Sequence, residues 1–363
     1  VKALILAAGF GTRLEPLTLA VPKPMVPIVN LPTMQHNIEL LKQHGFSEIV
    51  ANIHYHPEQI ENYFGDGHSF GVNIDYSYEE TLLGTAGGVK KMAGIARVDE
   101  TFLVLSSDAL TSINLGRFLA YHREKKALAT IALAKVPDVR GFGVVLQDQQ
   151  GRVTGFQEKP EPAVALSDLA NTGIYIFEPA ILDLIPDGFY DFGKQLFPRL
   201  VKEQAPLFGY QMVEYWNDVG GLDQYIRSNY DAMSGALKIS IPGKKLASST
   251  WVGERENIDR SARFEGSVII GDRCRIGRDV YIKDSVIGDK CVIADGAAVT
   301  GSVIWSDVVV CEEAVVDGAV VGSFSHLGKK ARIGAGTVIA NRAVIRPGQE
   351  VPPQSRIRPD NLG

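Results

Sequence analysis

The chain has 363 residues, 45% of them hydrophobic and 22% charged, with a formal net charge of −5. That length suits two domains. The charge excludes the concentrated basic surface that a nucleic-acid or anionic-membrane partner needs, so any bound anion is gripped locally. No apolar run approaches the ~18 residues that span a bilayer. No basic-then-apolar leader precedes VKALILAAG, and the three cysteines form no even framework; a reduced, cytoplasmic setting is expected.

Residues 3–6 (ALIL) read as a buried strand and lead into LAAGFGTRLEPLTLAVPKPM at 6–25. This loop lacks the GxxxxGK[ST] of a P-loop. It also lacks the third glycine of a dinucleotide fingerprint, where Leu14 stands instead. Gly9 and Gly11 allow backbone amides to approach a phosphate, Arg13 offers a planar fork, and Lys23 adds a point charge. Pro16, Pro22 and Pro24 stiffen the connection, and Glu15 is expected to point outward to solvent.

A helical stripe follows at 34–45 and a strand at 48–53 (EIVANI). His54 and His56 lie beyond that strand with no third ligand in reach, so no metal is expected there. The strand at 102–105 (FLVL) ends on SSD at 106–108, where Asp108 needs a compensating partner. Ser112 or Asn114 is better placed than Asp108 to cap the helix at 115–126. With a further strand at 129–134, the alternation predicts an α/β fold with a Rossmann-like, mostly parallel sheet covered by helices. Ligands in such folds sit at the carboxyl ends of strands.

From residue 236 the pattern changes, and 236–250 reads as a linker. Beyond it, apolar residues recur every six positions, as at Phe264, Ile270, Ile276 and Ile282. SVIIG, SVIG, SVIW, AVVG and TVIA recur at spacings of 18, 17, 17 and 18. Three six-residue sides per turn describe a left-handed parallel β-helix of about five coils over 251–363. Gly271, Gly277, Gly288, Gly328 and Gly334 are expected at corner turns.

The loop GxGTRLxPLTxxxPKPM resembles that of the sugar-1-phosphate nucleotidyltransferases. So do LGTAGG at 83–88, SSD at 106–108, FGVV at 142–145, FQEKP at 156–160, NTGIYIF at 171–177 and YWNDVGG at 215–221, all in the family's order. The resemblance implies a catalytic domain over 1–235 that joins a nucleoside triphosphate to a sugar 1-phosphate and releases pyrophosphate. It implies Mg²⁺ held by Asp108 and Asp218, with Arg13 and Lys23 supplying positive charge. The nucleotide would be bound by Leu6, Ala8, Gly9, Gly11, Thr12, Arg13, Glu79, Gly84 and Thr85. The sugar phosphate would meet Gly143, Glu158, Lys159, Asn171 and Thr172. One departure is that Ser106 and Ser107 replace the Asn-Gly the family often places before its Asp.

The resemblance is nearest to the mannose-1-phosphate guanylyltransferases. Guanine presents two adjacent donors that a carboxylate such as Glu79 could accept together. UTP-, dTTP- or ATP-dependent glucose-1-phosphate enzymes are the alternative, and a non-catalytic regulatory subunit is a third reading. The β-helix is expected to make a homo-oligomer through faces carrying Val308, Val310, Val315 and Val320. His326, the only histidine in that domain, is expected at a corner or short loop and leaves an acyltransferase role open.

Overall fold

The computed structural model describes residues 1–247 and 249–359, so residue 248 of the expected linker and 360–363 of the expected β-helix lie outside the described residues. The chain forms two compact units. One comprises residues 1–10 and 34–218, the other 11–33 and 219–363. The segment that carries Arg13 and Lys23 belongs with the C-terminal half.

The first unit is built on β1 (Ala3–Leu6), β2 (Glu48–Ile53), β3 (Asn73–Tyr78), β4 (Phe102–Ser106), β5 (Ala109–Thr111) and β6 (Ala129–Lys135). It continues with β7 (Gly143–Gln147), β8 (Val153–Glu158), β9 (Leu169–Phe177), β10 (Leu207–Gln211) and β11 (Trp216–Asp218). The main sheet runs β8-β7-β9-β4-β1-β2-β3, with β6 joining β9 to β10. β1 pairs in parallel with β2 and β4, whereas β9 runs antiparallel to β4 and β6. Leu4, Ile5, Val104 and Leu105 are fully buried, as strands covered on both faces require.

Helices α1 (Thr33–Gln43), α2 (Pro57–Phe64), α3 (Gly84–Ala96), α4 (Leu115–Glu124) and α5 (Phe197–Lys202) follow these strands. Asn114 caps α4, its side chain accepting from Arg117 N at 2.9 Å.

In the second unit, strands stack in parallel at 17- and 18-residue steps to form a left-handed β-helix. One side is a six-stranded stack from Asn257–Ile258 to Val344–Ile345, one coil more than expected. The expected linker also contributes structure: Lys244–Ala247 pairs antiparallel with Thr250–Val252, which joins the stack at Val268–Ile270.

The corner glycines act by close approach rather than by positive φ. A Cβ on Gly271 would stand 2.7 Å from Asp289 N, and one on Gly288 2.6 Å from Ser306 N. The left-handed corners are taken instead by Arg273, Lys290 and Asp307, with φ of 58, 56 and 60°. Val308 and Val310 point into the core and Val320 is fully buried, so of the four valines expected on exposed faces only Val315 is partly exposed. His326 lies on a strand, not at a corner, and is exposed with Nε2 3.3 Å from Cys311 Sγ.

One outer row of the β-helix is unusual. Ile269, Val286, Val303, Val320 and Val338 stand in register and alternate with the core residues Ile270, Ile287, Ile304, Val321 and Ile339. They face outward, yet each is at most 5% exposed. Segment 11–33 and α6 (Leu222–Ser234), both of the same unit, reach this face. Asn30 Nδ2 donates to Ile287 O at 2.8 Å, Trp305 Nε1 to Tyr225 Oη at 2.8 Å, and Asn341 Nδ2 to Leu17 O at 3.0 Å. Full burial of one such side chain is worth roughly 1.5–3 kcal/mol, so this packing dominates the few hydrogen bonds across it.

Candidate active site

Among the described residues, the first unit carries a pocket of about 250 Å³. It opens beyond the carboxyl end of β4, where sheet topology favours ligand sites. Asp108 and Asp218 both line it. They meet because β5 and β11 form an antiparallel ribbon with Asp218 opposite Ala109, the residue after Asp108. Ser106 Oγ donates to Asp108 Oδ1 at 2.6 Å. Asn37 Nδ2 donates to Ser106 O at 3.3 Å and Ser107 O at 3.0 Å, which holds the turn in place. Two carboxylates and a hydroxyl are hard oxygen donors, the set Mg²⁺ takes when phosphate oxygens and waters complete its shell.

The residues assigned to the sugar phosphate line the same pocket. Glu158 ends β8 with its carboxylate between two glycines. A Cβ on Gly143 would stand 3.3 Å from Glu158 Oε2, and one on Gly193 2.4 Å from it. Burial raises the Glu158 pKa, against the Lys159 ammonium 3.8 Å away. Lys159 takes a positive φ of 48° and its side chain is well exposed.

Asn171 Oδ1 accepts from Gly173 N at 3.1 Å. Thr172, expected to offer its hydroxyl to the sugar, donates from Oγ1 to Ala132 O at 2.7 Å, which leaves the oxygen's acceptor capacity for a ligand.

The pocket residues missed in the sequence include Asp191, Phe142 and Trp216. Phe142 and Trp216 meet edge to face at 5.3 Å, and Trp216 Nε1 donates to Thr172 O. Both lie inside motifs quoted above, so their signal was present. Asp191 accepts from Thr85 Oγ1 at 3.0 Å and from Lys194 N at 3.0 Å. In sequence it is indistinguishable from an ordinary helix cap. Thr85, at the start of α3, lines the same pocket.

The nucleotide assignments are distributed over both units. Leu6 ends β1 and Ala8 and Gly9 follow it in the first unit, and nothing lies within 4 Å of a Cβ built on Gly9. Ala7 N donates to Asn52 Oδ1 at 2.7 Å, fixing the start of the loop. Gly84 has φ +72°, and a Cβ there would meet Tyr190 O at 2.6 Å.

Glu79 was expected to face a base. It is 4% exposed, with Oε1 accepting from Asn52 Nδ2 at 2.7 Å and Oε2 from Leu83 N at 2.9 Å. Its carboxylate is turned inward, each oxygen accepting from an N–H of this chain. His54 Nδ1 contacts Glu79 O at 2.6 Å, and His56 Nδ1 contacts Glu58 Oε1 at 3.3 Å.

In the second unit Gly11 has φ +70° and its Cβ position is 3.0 Å from Lys23 Cβ, so glycine is required where the loop folds back on the lysine. Thr12 and Arg13 are exposed and Lys23 is half-buried. Glu15 is not simply solvated; it pairs with Arg358 at 2.9 Å.

A model of the nucleotidyl transferase family matches residues 2–235. The chain belongs to the nucleotidyl transferase family. A second model, the LbH domain of EIF2B subunit epsilon, matches residues 248–351 of this nucleotidyltransferase. A UTP–glucose-1-phosphate uridylyltransferase of Synechocystis sp. is 42% identical over 300 residues, covering 77% of this chain and 76% of that one. A mannose-1-phosphate guanylyltransferase of Mycobacterium tuberculosis is 35% identical over 288 residues, covering 74% and 79%. Mannose-1-phosphate guanylyltransferase 1 of Arabidopsis thaliana is 34% identical over 286 residues, covering 77% and 76%. A solved structure from Bacillus anthracis, described as a glucose-1-phosphate thymidylyltransferase, shares the fold at 24% identity and a TM-score of 0.57. It covers 66% of this chain and 96% of its own. No helix among the described residues is long and apolar enough to cross a membrane.

Proposed function

We propose that this nucleotidyltransferase transfers a nucleoside monophosphate from a triphosphate to a hexose 1-phosphate, with UTP and glucose 1-phosphate as the leading pair. The observation that carries the reading is one small polar pocket shared by Asp108, Asp218, Glu158 and Lys159. Its volume, about 250 Å³, lies below the range for drug-sized ligands and suits a single sugar. The inward Glu79 and the 42% identity to the uridylyltransferase favour UTP. The relatives at 34–35% favour GTP with mannose 1-phosphate as the second reading.

In this reading a sugar phosphate oxygen attacks the α-phosphorus in line and pyrophosphate leaves. Both partners are anions, so the barrier is chiefly electrostatic. Lys159 holds the sugar phosphate, and Glu158 accepts from sugar hydroxyls. Lys23 faces the α-phosphate, and Arg13 offsets charge on the departing pyrophosphate. Asp108 and Asp218 would hold Mg²⁺, which when bound offsets charge on the phosphate oxygens. The presence of Arg13, Lys23, Asp108 and Asp218 together argues against a non-catalytic subunit.

Pyrophosphate release measured across UTP, GTP, dTTP and ATP with glucose and mannose 1-phosphates tests the assignment. UTP with glucose 1-phosphate should be used at least ~10-fold better than any other pair. Preference for GTP with mannose 1-phosphate would install the second reading, and no release with any pair would remove both.

Three free thiols support a reduced, cytoplasmic setting. The exposed Val344 at the end of the β-helix supports a homo-oligomer through that domain, which light scattering of the full chain and of Val344→Glu would test.

A further inference from the structure

The β-helix carries a ladder of short polar side chains along one corner, each accepting a backbone N–H from the coil before it. Asp272 Oδ1 accepts from Glu254 N, Asp289 Oδ1 from Asp272 N, and Asn341 Oδ1 from Ser323 N, all at 2.8 Å. An aspartate suffices for this work, and two of these three positions have one. Asn341 differs by its amide nitrogen, and that extra donor goes to Leu17 O at 3.0 Å. The partners fix the orientation of the amide, since Ser323 N–H needs an acceptor and the Leu17 carbonyl a donor. Asn341 is 6% exposed and Leu17 fully buried, so the bond lies away from water, where an unmet carbonyl is costly.

Leu17 lies on the segment that bears Arg13 and Lys23. The same segment is tied twice more within its unit. Asn30 Nδ2 donates to Ile287 O, and Asn229 Oδ1 accepts from Val29 N at 2.9 Å. We infer that Asn341 is a positioning residue for the cationic loop: the β-helix holds Arg13 and Lys23 in their working conformation through an amide 324 residues further along the chain. This rests on the catalytic roles proposed above for Arg13 and Lys23.

Asn341→Asp separates the two duties, because it is nearly isosteric and keeps the ladder acceptor while losing the donor to Leu17. Ser325→Ala is the control; it removes a buried bond of the neighbouring coil, Oγ to Ala340 O at 2.9 Å, without touching the loop. Asn30→Asp removes a second tie from the loop side and serves should Asn341→Asp fold poorly.

In full-length protein, hydrogen exchange of the amides of Leu14, Glu15, Met25 and Val26 should speed up at least ~5-fold in Asn341→Asp and stay unchanged in Ser325→Ala. Turnover in the pyrophosphate assay should fall ~10-fold in Asn341→Asp, with the sugar phosphate KM within ~2-fold of wild type. Wild-type exchange in Asn341→Asp, equal acceleration in Ser325→Ala, or faster exchange with unchanged turnover would each overturn the assignment. An inactive wild type would overturn the proposed activity instead, and the exchange comparison would still decide whether the brace exists.

Discussion

Asp218 reaches the metal-compatible pocket because it pairs across an antiparallel ribbon with Ala109, the neighbour of Asp108. Both carboxylates are therefore placed by backbone register rather than by side-chain reach. Asp108→Asn and Asp218→Asn should each lower turnover by at least ~100-fold, the order seen when a main electrostatic contributor is removed. The melting temperature should stay near wild type. Near-normal turnover in either variant would take that residue out of the proposed metal site.

Arg13 is exposed, at the end of a short loop anchored by buried Leu14 and Leu17. Arg13→Ala should depress kcat more than it raises the triphosphate KM, because its charge matters most as pyrophosphate departs. A change confined to KM would make it a binding group only. Gly11→Val should be more damaging, since valine must adopt φ +70° and meets Lys23 Cβ at 3.0 Å.

Glu79 is a structural acceptor in this fold. Glu79→Gln sets an amide N–H2 against Asn52 Nδ2 or Leu83 N, both donors, and should cost about 1–3 kcal/mol of stability. The ratio of UTP to GTP use should not move. A switched base preference at unchanged stability would restore Glu79 as a base reader.

Glu158 gives the pocket a pH signature. Burial holds its folded pKa above the usual 4.5 of a glutamate, so the native state binds this proton more tightly than the unfolded chain does. The stabilising contribution is complete below the unfolded value and is lost as pH rises through the folded one. Glu158→Gln should therefore melt higher than wild type near neutral pH, with the gap closing towards about pH 4. Activity should show the opposite dependence, rising as Glu158 ionises to accept from the sugar. Parallel melting curves across that range would exclude the burial effect.

The strands and the polar turns that line the pocket were legible because buried parallel strands and their polar ends contrast sharply, as at FLVL-SSD. The β-helix was legible from its period alone. The inward turn of Glu79 was not, since Glu79 and Glu80 look alike until Asn52 is brought beside one of them. The packing of segment 11–33 was also missed, although a signal existed. In SVIIG, SVIG, SVIW, AVVG and TVIA the outward residue is as apolar as the inward one, whereas other sides place Arg275, His326 or Arg332 outward. An apolar residue on both faces of a strand means both faces are covered. Which segment covers the outer one depends on contacts across hundreds of residues, beyond any local pattern.

The bond from Asn341 to Leu17 also imposes an order on biosynthesis. Asn341 is made 324 residues after Leu17, so the loop emerges well before this partner. At about 5–20 residues per second, the interval is roughly 16–65 s. Throughout that time the strands around Asp108 can pair, and the ties to Asn229 and Ile287 form before the one to Asn341. On the positioning role inferred above for Asn341, a chain that stops short of that residue lacks this brace on the loop however completely the strands around Asp108 have paired.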